Sequence, residues 1–124
     1  MIPLSRSEFL SLKLSEPDKK LVSRILEEVS FDERIVSYRM HQHLGLTKAT
    51  MYSFEEVVNF LNDTFPLLKF EELEKWARAI MKDKELAMKI AEAVEVEHND
   101  HDRTQRIKIL MGQRLNQCKS AKIS

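Results

Sequence analysis

Glu95, Glu97, His98, Asp100, His101 and Asp102 crowd into eight residues. On a helix, Glu97 and His101 stand one turn apart, as do His98 and Asp102. Imidazole and carboxylate at that spacing can chelate a divalent ion, so Glu97, His98, His101 and Asp102 are the expected metal ligands. The competing reading is a solvated link between helices, rich in capping side chains. Glu95 and His98 have the spacing of half a di-iron site, but the chain offers no second Glu-x-x-His, and that reading fails. His41 and His43, two residues apart, would diverge on a helix. Cys118 is the one cysteine, which excludes an internal disulfide and a thiolate cage. No phosphate-binding glycine loop can be built from Gly45 and Gly112. The residues therefore point to a non-catalytic protein without a cofactor, and a metal-dependent enzyme using 95–102 is the least favoured alternative.

A second group could read nucleic acid. Residues 37–56 run Ser-Tyr-Arg-Met-His-Gln-His-Leu-Gly-Leu-Thr-Lys-Ala-Thr-Met-Tyr-Ser-Phe-Glu-Glu. This stretch resembles a helix-turn-helix motif, in which a first helix ends in a glycine turn and a second enters the major groove. Gly45 falls at the turn. Met40, Leu44, Leu46, Met51 and Phe54 fall at the positions that lock the two helices together. The resemblance implies Thr47 as the cap of a reading helix, with Lys48, Ala49, Tyr52 and Ser53 toward DNA. A plain helical corner, with glycine ending one helix and a new cap starting the next, explains the same residues.

Charge suggests a third surface. Lys plus Arg equals Asp plus Glu, at 20 each, so no global field draws an anionic partner. The distribution is uneven: residues 103–124 hold six bases and no acid, whereas 84–102 hold two bases against six acids. Arg103, Arg106, Lys108 and Arg114 are accordingly expected to face a protein or nucleic-acid partner.

These groups must be held by the elements around them. Two glycines in 124 residues leave little material for tight turns, and the expected fold is a single all-α domain of about six short helices with no significant sheet. Residues 1–14 read as an arm or short helix. Ser15 caps a helix with the apolar stripe Leu21, Val22, Ile25, Leu26 and Val29. Ser30 and Glu33 form a capping box for a helix to Leu44, stopped by Gly45, although Val36, Tyr38 and Met40 also alternate as in a strand. Further helices are expected over 47–62, 69–82 and 83–96, with Ser53 and Glu56 as another capping box. An amphipathic basic helix over 102–119 carries Ile107, Leu110, Met111, Leu115 and Cys118 on one stripe. No apolar run approaches the ~20 residues needed to cross a bilayer, and no signal sequence is evident. The expectation is a cytoplasmic interaction or regulatory module, away from membranes and able to form a homodimer. A helix-turn-helix DNA-binding regulator is the alternative.

Overall fold

The computed structural model describes residues 12–41, 43, 45–62, 66–67 and 69–123, with the backbone alone at His41. Among the described residues five helices accompany a small sheet: α1 is Lys19–Leu26, β1 Ile35–His41, β2 Gly45–Met51, α2 Phe54–Leu61, β3 Pro66–Leu67, α3 Phe70–Ala79, α4 Lys84–Val96 and α5 Asp100–Ile123. A short 3-10 turn over Phe31–Glu33 precedes β1. Most of the predicted arm, residues 1–11, lies outside the described residues.

The expectation of an all-α chain without sheet is overturned: the described residues are mostly helical but include a three-stranded antiparallel sheet. The sheet order is β2-β1-β3. Its origin is the alternation Ile35, Val36, Ser37, Tyr38, Arg39, Met40, which sends β-branched and aromatic side chains alternately to two faces. The Ser30–Glu33 capping box does form, but it starts only the 3-10 turn. Gly45 has φ +70 and opens β2 after the link from β1, rather than capping a helix. One reversal requires one such residue, so glycine scarcity limited the number of hairpins without forbidding the first. The predicted helix over 47–62 divides accordingly: residues up to Met51 are strand, and Ser53 then caps α2 through Glu56 N–H at 3.2 Å.

The remaining helices form close to their expected places. Asp18, not Ser15, caps α1 by accepting from Leu21 N–H at 2.8 Å. Asp83 caps α4, accepting from Leu86 N–H at 3.1 Å. The longest helix, α5, packs against α1, α2 and α4. Its stripe of Ile107, Leu110, Met111, Leu115 and Cys118 is buried throughout. Phe54, Phe60, Leu73, Leu86 and Ile90 fill the core it shares with the other helices. Trp76 donates its indole N–H to the Glu33 carbonyl at 2.7 Å, tying α3 to the turn that leads into β1.

One buried ionic cluster holds the ends together. Arg114, 1% exposed, donates to both carboxylate oxygens of Asp83 (2.8 and 3.3 Å), to Glu85 (2.8 Å), to the Ser15 carbonyl (2.7 Å) and to Gln117 (2.9 Å). Gln113 and Gln117 bind the backbone of Leu12 and Leu14 from the same helix. The chain entering α1 is thus laced to α5.

Candidate protein-interaction surface

The hairpin segregates its side chains by face. Directly opposed pairs in an antiparallel ladder share a face. Ile35 opposes Met51, and Ser37 opposes Ala49. All four are buried, so this is the inner face. Arg39 lies on it too, its guanidinium 5.4 Å from the Phe60 ring centre. On the other face Met40 opposes Leu46, Tyr38 opposes Lys48, and Val36 opposes Thr50. β3 adds Leu67 beside Tyr38, and its carbonyl accepts from the Ser37 hydroxyl at 2.5 Å.

That outer face is apolar and partly exposed; Val36, Tyr38, Leu46 and Leu67 line a shallow pocket of about 280 Å³ together with Phe70, Asp100 and Thr104. Tyr38, Met40, Leu46 and Leu67 are 39% to 56% exposed. A large exposed side chain on its own is unremarkable, but four grouped on one sheet face are not. Lys48 stands among them as the one charged side chain that the three strands present outward, and Tyr38 faces it across the ladder. Among the described residues β2 pairs only with β1, so it is an edge strand of the sheet, with the backbone groups of alternate residues directed away from β1.

The residues expected to read DNA are scattered by this geometry. Lys48 points outward, Ala49 is buried against Ser37, and Thr47 faces inward opposite Arg39. Tyr52 is half-buried; its carbonyl accepts from Val29 N–H at 2.7 Å, and its own N–H donates to Glu56. Ser53 is the cap of α2. Residues 37–56 therefore contain a hairpin where a helix-turn-helix needs two helices, and no reading helix exists there.

The basic residues of α5 are equally dispersed. Arg103 donates to the Val94 carbonyl (3.0 Å) and pairs with Asp100 (2.9 Å). Arg106 pairs with Glu97 at 3.0 Å, and Lys108 is half-buried. Arg114 is enclosed in the core, which removes it from any partner surface. Lys119 reaches Glu55 at 3.2 Å. What the sequence places as a basic end the fold spends largely on internal pairing.

The expected metal ligands do not converge. Glu97 ends α4 and is held by Arg106, and Asn99 caps α5 by accepting from Asp102 N–H at 2.8 Å while its amide donates to the Asp102 carboxylate. His98 and His101 are exposed. Among the described residues no three His, Cys, Asp or Glu side chains come close enough to hold a metal. Burial raises the Cys118 thiol to about 11, which leaves it protonated near neutral pH.

The sequence reading missed the outer sheet face and the Arg114 cluster. Alternation in β1 was the available signal for the first. For the second it was the place of Arg114 inside an apolar stripe. No protein-family model, curated protein or solved structure matches the chain. No helix among the described residues is long and apolar enough to cross a membrane.

Proposed function

We propose that this protein is a non-catalytic interaction module that accepts a strand of a protein partner on the outer edge of β2. The observation that carries the reading is the position of β2 as an edge strand among the described residues, beside a partly exposed apolar face that includes Lys48. An added strand satisfies the edge through main-chain hydrogen bonds, and alternate side chains extend the apolar face. Lys48 sets the chemistry of the occupant. A partner strand places an acid opposite it, with apolar side chains two residues to either side. Self-pairing centred on Lys48 is disfavoured, because it would set two lysines opposite one another.

The test is calorimetric titration of the full chain with a capped peptide as long as β2, Thr-Val-Thr-Glu-Thr-Val-Thr. Binding is expected, and Lys48→Glu should weaken it a few-fold, because a cross-strand ion pair contributes roughly 0.2–1 kcal/mol and like charges repel. A lysine-centred peptide should then prefer the Lys48→Glu protein. Equal binding of both peptides by both proteins would overturn the assignment of Lys48. Tight binding of single-stranded DNA with a steep salt dependence, and none of the peptide, would replace the partner class with nucleic acid.

A further inference from the structure

α5 buries one stripe, yet it carries a second, opposite one. At ~100° per residue, Ile109, Gly112, Asn116 and Ile123 line up on the face directly away from Ile107, Leu110, Met111 and Cys118. Their spacing is three, four and seven residues, the rhythm of a helix–helix seam. Ile109 is 54% exposed and Ile123 88%. Gly112 sits in mid-helix, where glycine disfavours the helical state. A methyl group built on it would meet nothing within 4 Å, so no close approach among the described residues accounts for this glycine.

We infer that this seam of α5 is the contact surface of a two-fold symmetric homodimer in which two α5 helices cross antiparallel at Asn116. The sequence is self-complementary under that operation. With Asn116 facing its own copy, Ile109 meets the partner copy's second isoleucine, at position 123, and Gly112 meets the serine at position 120. Isologous pairing of this kind closes a dimer with no surface left over. A single Asn at such a crossing fixes register through amide hydrogen bonding. Lys119, which flanks the seam, is turned away to Glu55. From Ile109 to Ile123 the seam is ~21 Å long, and alone it falls short of the ~800 Å² per partner of a standard interface. A groove of about 1280 Å³ between α1 and the C-terminal half of α5 supplies further area; Val22 and Leu26 form its apolar wall, and Asn116 and Ser120 belong to both groove and seam. A second α5 lying across the groove fills it.

The experiment is sedimentation equilibrium of the full chain from micromolar concentration to about 1 mM, the range in which a small interface would dissociate. The expected result is a reversible monomer–dimer equilibrium. Ile109→Glu, at an exposed position, should shift association at least tenfold toward monomer with unchanged circular dichroism. Gly112→Ala should raise the melting temperature of the dilute monomer while weakening association, a split that a merely incidental glycine would not give. Lys48→Glu, on the β2 edge, should leave association unaltered, so this interface and the strand-docking edge stand or fall separately. Monomer at every concentration would overturn the proposal. So would a dimer indifferent to Ile109→Glu, or a Gly112→Ala protein that is more stable and associates as before.

Discussion

Arg114 shows how much one side chain can organise. Its guanidinium replaces lost water with five oxygen contacts, two of them to the equally buried Asp83. Removing one member of such a pair leaves the other charged and enclosed, at a cost of ~3–5 kcal/mol. Arg114→Met should therefore lower the free energy of urea unfolding by about that amount, and a loss under ~1 kcal/mol would contradict the keystone role. Burial acts to raise the Glu85 carboxyl, but hydrogen bonds from Ser15 and Arg114 outweigh it and hold the group below its ordinary value. The sign follows: stability from Glu85 is complete above the usual glutamate value of ~4.3 and vanishes as pH falls through the lower folded one. Glu85→Gln should flatten the acid limb of a stability–pH profile. Arg114 reads as a surface cation in the sequence because the bases around it have no acid within reach. Its carboxylates stand 31 and 29 residues away, a proximity that only the packing of α4 on α5 creates. Cys118, by contrast, was legible as a core side chain from its place in the stripe, and it is buried. With its pKa at about 11, it should resist alkylation at neutral pH until the protein unfolds.

At the scale of elements, α5 and the hairpin teach opposite lessons. The α5 stripe repeats every three or four residues for about three turns, and such local periodicity survives into the fold unchanged. Leu110→Ala should cost ~2–5 kcal/mol in the buried core, read as a shift in the urea midpoint. The hairpin has conflicting local signals. Ser30, Glu33 and Gly45 all suit a helix, while Val36, Tyr38 and Met40 alternate. The alternation wins because Thr47, Thr50 and the small Ala49 offer a matching strand, and because pairing buries Ile35, Ser37, Ala49 and Met51 together. Strand pairing is a relation between two segments, so reading 30–44 and 47–62 one at a time could not weigh it. The candidate surface was hidden for the same reason: it exists only once β1, β2 and β3 lie side by side.

For the whole molecule, the helices among the described residues enclose a core around α5 and leave a small sheet with a partly exposed apolar face and β2 at one edge. The net charge of zero provides no long-range attraction for an anionic polymer, which favours short-range docking of a strand around a single lysine. The most direct measurement is amide hydrogen exchange across β2 in the full chain, alone and with the glutamate-centred peptide bound. Strand addition predicts slowed exchange at alternate β2 amides, those whose N–H groups point away from β1, with little change in α3 or α4. A bound peptide that leaves every β2 amide exchanging at its free rate would contradict edge docking.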